Sequence, residues 1–242
     1  MPYCYEYPRP AVSSDCVIFA FDGKQLNVLL IERKNDPFKG YWAFPGGFLE
    51  MDETSEQCAR RELEEETGIK DACLEQLYAF SGLNRDPRGR VVSVAYIALV
   101  RQSSTQPMAG DDARQAIWFP VTHLPQLAFD HELIFRTAMQ RLRQKICYQP
   151  IGYELLEEKF TFPELVRLYE SVMGQRIDRR NFYRKMIRTG LLMPLEEKTS
   201  GVPHKRARYF QFDHSRFDML KKKGCYPEAF AFSQTLAAKP KS

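Results

Sequence analysis

Between residues 45 and 69 the chain runs Pro45-Gly46-Gly47-Phe48-Leu49-Glu50-Met51-Asp52-Glu53, then Thr54 to Arg60, then Arg61-Glu62-Leu63-Glu64-Glu65-Glu66-Thr67-Gly68-Ile69. Thr54 and Gln57 stand at capping-box spacing, and Gly68 sits where helices stop, so the spacing predicts a helix over 54–67. Glu62, Glu65 and Glu66 fall at i, i+3 and i+4, on one narrow face of that helix. Like charges at these spacings oppose helix formation by about 0.2–0.5 kcal/mol per pair. A hard divalent cation among the carboxylates, Mg²⁺ or Mn²⁺, explains the cluster, and a solvated acidic face is the alternative. Glu64 points away and is expected to pair with Arg60. Ala59 and Leu63 form the apolar flank. Arg61 is placed to pair with Glu53. Ahead of the helix, Pro45-Gly46-Gly47 reads as a breaker where the backbone turns and approaches a ligand closely.

Upstream, Cys16–Phe21 and Leu26–Ile31 read as a hairpin around Asp22-Gly23. Trp42–Phe44 reads as a short strand. Leu77–Leu83 and Val91–Val100 flank the turn 84–89, and Ile117–Phe119 is another short strand. Ser103–Asp112 is a polar loop. A helix is expected from His131 to Ile146 with Asp130 as N-cap. Alternating strands and helices make residues 1–147 an α/β sandwich with a mixed sheet. Residues 148–158 lose periodicity and read as a linker. From 159 to 223 the pattern changes. Phe162, Leu165, Val166, Tyr169, Val172 and Met173 keep helical spacing, and Gly174 breaks it. A second helix runs from N-cap Asp178 to Gly190. Leu191–Leu195 and Arg208–Phe212 are strands around a polar loop. Two helices joined by a short turn and followed by a hairpin outline a winged helix-turn-helix. Residues 224–242 read as a loosely attached tail.

The second of these helices puts Phe182, Met186, Tyr183 and Ile187 on its buried face. Arg180, Arg184, Arg188, Asn181 and Lys185 share the other face, with Arg179 in the first turn. These side chains suit phosphates and base edges of double-stranded DNA. Lys198, His204, Lys205, Arg206 and Arg208 make the adjoining wing basic. The other reading is the solvated face of a small interaction domain.

Composition supports the division. The chain has 242 residues and a net charge of +4. Residues 1–145 carry 17 Lys+Arg against 20 Asp+Glu, and residues 146–242 carry 18 against 11. Charge of opposite sign in the two parts suggests two domains with different partners. Val91–Val100, broken by Ser93, is about half the length of a membrane span. Met1–Pro10 has no secretion pattern. Cys4, Cys16, Cys58, Cys73, Cys147 and Cys225 form no C-x-x-C pair, which fits reduced thiols and a cytoplasmic address. His123, His131 and His214 read as structural.

Gly47, five residues, Glu53, seven residues, then Arg61 to Ile69 resembles the Nudix box at every defining position. The resemblance implies a Nudix αβα sandwich. It implies hydrolysis of a nucleoside diphosphate derivative with Mg²⁺ or Mn²⁺. Glu62, Glu65 and Glu66 would ligate the metal, with Glu53 and Arg61 bracing the catalytic site. Gly46 and Gly47 would line the phosphate side. Asp111 and Asp112 are acidic candidates for a general base.

With its winged helix, the chain resembles the Nudix-related transcriptional regulator (NrtR) family over roughly residues 8 to 217. Further segments carry this: Pro37-Phe38-Lys39-Gly40-Tyr41-Trp42, Arg85-Asp86-Pro87-Arg88-Gly89, Leu127-Ala128-Phe129-Asp130-His131, and Phe160 to Leu165. Arg179-Arg180-Asn181-Phe182 stand where that family's recognition helix begins. The resemblance implies a bacterial homodimeric repressor that senses ADP-ribose, with Arg85 and Arg88 at the substrate. Some members have a decayed box and only bind the effector. The box here is complete, so hydrolysis to AMP and ribose 5-phosphate is also expected. The competing expectation is a plain Nudix hydrolase with a C-terminal dimerisation or protein-interaction domain.

Overall fold

The structure, a computed structural model, describes residues 5–105, 107, 113–147, 149–150, 152–199 and 206–222. The chain divides into two compact units, one of Met1–Ala20 with Asn27–Ala138, the other of Phe21–Leu26 with Met139–Ser242. Asp111, Asp112, His204, Lys205 and the tail 224–242 lie outside the described residues.

The first unit is built on β1 (Ala11–Phe21) and β2 (Leu26–Arg33). Cys16 through Ala20 are fully buried, as are Leu26, Val28, Leu29 and Leu30. A strand apolar on both faces needs cover on both sides. One face packs on α1 (Ser55–Thr67), where Ala59 and Leu63 meet Cys16, Ile18, Ala20 and Leu29. Burying a leucine such as Leu63 contributes about 1.5–3 kcal/mol. The other face meets α2 (His131–Lys145), with Phe19 and Phe135 ring centroids 6.4 Å apart. The expected αβα layering is present.

The sheet also holds β3 (Trp42–Ala43), β4 (Gly46–Phe48), β5 (Glu75–Phe80), β6 (Val91–Arg101) and β7 (Ala113–Pro120). Its order is β3-β2-β1-β6-β5, with β4 on β1 and β7 on β2. The strand β4 corrects the sequence reading of a glycine breaker. Neither Gly46 nor Gly47 has positive φ. They run antiparallel to β1, pairing Gly47 with Ser14 and Gly46 with Asp15. The glycines are there for closeness. A Cβ on Gly46 would strike the Ser14 carbonyl, and one on Gly47 would strike the Glu62 carboxyl.

The caps of α1 are those the sequence predicts. The Thr54 hydroxyl accepts from Gln57 N, Gln57 Oε1 accepts from Thr54 N at 2.8 Å, and Gly68 ends the helix at φ 73. One pairing is corrected. Arg60 binds Glu56 at 2.8 Å, and Glu64 takes Lys70 at 2.9 Å. A glutamate four residues before a cation is the better-oriented helical pair, so Glu56 wins Arg60 over Glu64.

In the second unit, α3 (Gly152–Leu155) and the buried Leu155 and Leu156 fall within residues 148–158, which lack sequence periodicity. β8 (Phe160–Thr161) leads into α4 (Phe162–Met173), α5 (Arg179–Thr189), β9 (Leu192–Lys198), β10 (Arg208–Phe212) and α6 (His214–Lys222). The three strands pair in the order β8-β10-β9, all antiparallel. The core is Leu165, Val166, Tyr169 and Val172 of α4 against Phe182 and Met186 of α5 and Phe210 and Phe212 of β10. The rings of Tyr169 and Phe182 pack at a tilt, with centroids 4.8 Å apart. Asp178 caps α5 by accepting from Arg180 N and Asn181 N, both at 3.0 Å. Such a cap is worth about 0.5–2 kcal/mol. The winged helix-turn-helix outline is therefore present, with a third strand the sequence did not announce.

Candidate functional site: an acidic helix, a pocket and a cationic helix

Arg61 organises the acidic face of α1. Its Nη2 and Nε grip both Glu53 carboxylate oxygens, at 2.6 and 3.1 Å. Its Nη1 donates to Glu62 at 2.8 Å and Glu65 at 3.1 Å, and its Nη2 also reaches the Phe48 carbonyl at 3.3 Å. The Arg61 hydrogen bonds pull the Glu53 carboxyl down to a pKa of about 2. Glu62 goes the other way. Burial raises its pKa against the pull of Arg61, and Glu65 and Glu53 add to the rise. Glu66 is buried, and its Oε2 accepts from Gly46 N at 2.8 Å. Glu65 is open, with a side chain 58% exposed.

The structure thus brings together Glu53, Arg61, Glu62, Glu65 and Glu66 beside Gly46 and Gly47. Among the described residues no three metal-binding side chains stand as a ready-made site. The reason is local: Arg61 draws Glu62 and Glu65, and the Gly46 amide holds Glu66. The donor set nonetheless suits a hard divalent cation, since it is all carboxylate oxygen. A cation beside half-buried Glu62 would offset the desolvation that raises its pKa.

Beside β4 opens a small pocket of about 90 Å³. Its walls are Ser13 and Asp15 of β1, Ile31 and Arg33 of β2, Ala43 and Phe44, Gly46 to Phe48 of β4, Arg85, Asp86 and Arg88 of the β5–β6 loop, and Phe129 and His131. Arg85 is not a free hand for substrate. It donates to both Asp130 oxygens, at 2.7 and 3.0 Å, and its side chain is 5% exposed. It braces the pocket wall, and Asp130 spends its carboxylate there. Arg88 clasps the buried Asp86 through Nη2 at 2.7 Å and Nε at 3.0 Å. This bond and those of the Arg88 backbone hold the Asp86 carboxyl below its usual range against the upward push of burial.

Several pocket residues were not singled out from the sequence as site residues. Asp15 accepts from the Ser93 hydroxyl and lies 3.6 Å from His131 Nε2 and 3.9 Å from Arg85. His131, read as structural, forms part of the pocket wall. Phe44 N donates to its Nδ1 at 3.0 Å, which leaves the ring proton on Nε2, facing Asp15. Burial lowers its pKa. The available signal was polar residues inside apolar strands: Ser13-Ser14-Asp15 in β1 and Ser93 in β6.

In the second unit, Arg179, Arg180, Arg184 and Arg188 are exposed, and Asn181 and Lys185 are half-buried. Among the described residues no ion pair engages those four arginines. The buried arc is narrower than the sequence suggests. Thr189 joins Phe182 and Met186 inside, its hydroxyl bonded to Met186 O. Tyr183 and Ile187, expected inside, are 43% and 39% exposed. Tyr183 is held edge-on by Phe162 at 4.9 Å. They border the arginine row, and Lys185 lies on the other flank. In the wing, Arg206 is exposed, and Arg208 pairs with Glu196 at 3.4 Å.

Comparison with known proteins fits this geometry. Residues 9–141 match the NUDIX domain model, and residues 152–212 match the NrtR DNA-binding winged helix domain. The chain is 36% identical over 218 residues to the ADPR responsive transcriptional repressor NtrR of Acinetobacter baylyi, covering 88% of this chain and 86% of that one. It is 45% identical over 134 residues to the ADP-ribose pyrophosphatase of Methanocaldococcus jannaschii, covering 55% and 76%. Shewanella oneidensis NrtR, solved in complex with a 27mer DNA, superposes with a TM-score of 0.73 at 32% identity, covering 86% and 95%. The chain belongs to the Nudix-related regulators of the NrtR family.

Proposed function

We propose that this protein is a cytoplasmic, homodimeric DNA-binding repressor whose Nudix domain binds ADP-ribose. The observation that carries the reading is the row of exposed arginines on α5 with no acidic partners among the described residues. Such a surface gains most from a polyanion, because each phosphate it neutralises releases a counterion. Arg179, Arg180, Asn181, Arg184, Lys185 and Arg188 form the DNA-binding set, with Lys205 and Arg206 in the wing. Two copies would read paired half-sites, as winged helices commonly do. ADP-ribose must favour the DNA-free conformation, since equal affinity for both states shifts nothing.

Hydrolysis is the second activity of this reading, and the complete box favours it. Glu62, Glu65 and Glu66 would hold Mg²⁺ or Mn²⁺. When bound, the ion neutralises the diphosphate and lowers the pKa of an attacking water. Arg61 keeps Glu62 and Glu65 turned toward one another and fixes Glu53. The Gly46 N–H keeps Glu66 against β4, and bare glycine backbone leaves room for phosphate oxygens.

Fluorescence anisotropy with duplexes tiling the DNA upstream of the protein's own gene, with and without ADP-ribose and Mg²⁺, tests the regulator. Wild type binds one duplex and releases it on adding ADP-ribose, and Arg180→Ala/Arg184→Ala binds none. Absence of binding by wild type in both conditions overturns the reading. AMP release from ADP-ribose, compared between wild type and Glu66→Gln, tests hydrolysis. Wild type that yields no AMP leaves a pure sensor.

A further inference from the structure

We propose that His131 is a positioning residue for the acidic centre: through the backbone of Phe44, Pro45 and Gly46 it sets the place of Glu66. This rests on the reading of Glu62, Glu65 and Glu66 as holders of a divalent cation and names what aims one of them.

Phe44 and Pro45 join β3 to β4, which starts at Gly46. Bonds to different elements fix the three residues. Phe44 N donates to His131 Nδ1 of α2 at 3.0 Å, Cys16 N of β1 donates to Pro45 O at 2.8 Å, and Gly46 N donates to Glu66 Oε2 of α1 at 2.8 Å. The segment thus has a histidine at one end and a metal-ligating carboxylate at the other. Pro45 between them offers no N–H and holds its φ, so the segment has little freedom to absorb a shift of Phe44. Phe44 is 1% exposed. Without an acceptor its N–H would be a buried donor left unsatisfied, and the backbone would have to move to reach one. That movement travels to the amide that holds Glu66.

His131 is set up to accept. Asp15 Oδ1 lies 3.6 Å from its Nε2, which favours the proton there and leaves the Nδ1 lone pair for Phe44. Burial keeps the ring neutral against the pull of Asp15 and Asp130. Asp15 in turn accepts from the buried Ser93 hydroxyl. The His131 ring stacks on that of Phe44, with centroids 5.3 Å apart and planes at 13°. Asp15 also stands opposite Gly46 in the β1–β4 ladder. The acid–histidine pair therefore flanks the segment at both ends. Partners one step removed from a metal orient its ligands, and their loss costs roughly 10–100-fold in metal affinity.

Mn²⁺ binding to the full chain, followed by electron paramagnetic resonance without ADP-ribose, tests this. His131→Phe keeps a ring on Phe44 and removes the acceptor, and it is expected to weaken Mn²⁺ at least tenfold. His131→Asn, whose Oδ1 takes the place of Nδ1, is expected to stay within threefold of wild type. Ser93→Ala loosens Asp15 and takes only a hydroxyl from the core. It is expected to weaken Mn²⁺ at least twofold, and an unchanged affinity there overturns the brace if His131→Phe fails to fold. Equal losses in His131→Phe and His131→Asn overturn it too, since they mark His131 as core filling. Wild type that takes up no Mn²⁺ overturns the metal reading and the brace with it. Mn²⁺ bound equally by wild type and His131→Phe overturns the brace alone.

Discussion

Glu53 and His131 each add an acid-sensitive contribution to the first unit, from opposite kinds of surroundings. Glu53 is held by Arg61 at a pKa of about 2, below its ordinary 4.5. Its stabilising contribution is full above pH 4.5 and is lost as pH falls toward 2. His131 is kept neutral by burial, below its ordinary 6.5. The unfolded chain binds its proton first, so stability falls as pH drops below 6.5. Urea midpoints measured from pH 8 to pH 3 are expected to decline in two stages. His131→Gln makes the stage that begins near pH 6.5 shallower, and Glu53→Gln does the same for the one that begins near pH 4.5, where the Asp86 contribution remains. A single decline common to wild type and both variants would contradict this. The Glu53–Arg61 pair was legible from spacing. The neutral His131 was not, because Phe44 and Asp15, its partners, come from distant parts of the chain.

At the scale of elements, helices were the most legible features. Those of α1 and α5 announce themselves by cap residues, Thr54 with Gln57 and Asp178, and α4 by its apolar spacing; each is followed by a left-handed glycine, and the Thr161–Glu164 capping box of α4 went unread. Capping is local chemistry, so sequence carries it. β4 was illegible because a Gly-Gly pair lowers strand propensity and only tertiary closeness to Ser14 and Glu62 explains it. β8 and α3 escaped because elements of two and four residues leave no periodicity. The buried arc of α5 was misjudged at Tyr183 and Ile187 because a wheel gives angles and not the width of the neighbour. For DNA, α5 makes a graded prediction. Arg184→Ala is expected to lower the slope of log affinity against log salt by about 1, the signature of one lost phosphate contact. An unchanged slope would remove Arg184 from the interface.

For the whole molecule, the opposed charges of the two parts were visible by counting, and so was the split of function they suggest. The pocket was not. Its walls come from two strands, a glycine segment, a loop and the start of a helix, and only the fold assembles them. Coupling belongs to this scale. If ADP-ribose lowers DNA affinity by some factor, DNA must lower ADP-ribose affinity by the same factor. Titrating ADP-ribose with and without saturating operator duplex checks this. Equal affinities in the two titrations would mean that the ligand is not the signal for release.

The bond from the Gly46 amide to Glu66 makes one backbone proton a spectator of the whole acidic centre. A cation recruited to either oxygen of Glu66 draws charge from the carboxylate to which that amide donates. Glycine amides occupy a thinly populated region of a nitrogen–proton correlation spectrum, and this chain has only 13 glycines. Titration with Mg²⁺ is expected to move the Gly46 cross-peak farther than that of Gly82 or Gly89, which lie outside the acidic centre. A motionless Gly46 signal would mean that the carboxylate keeps its amide and that cations settle elsewhere. The fold thus carries its own ion gauge, readable without any added label.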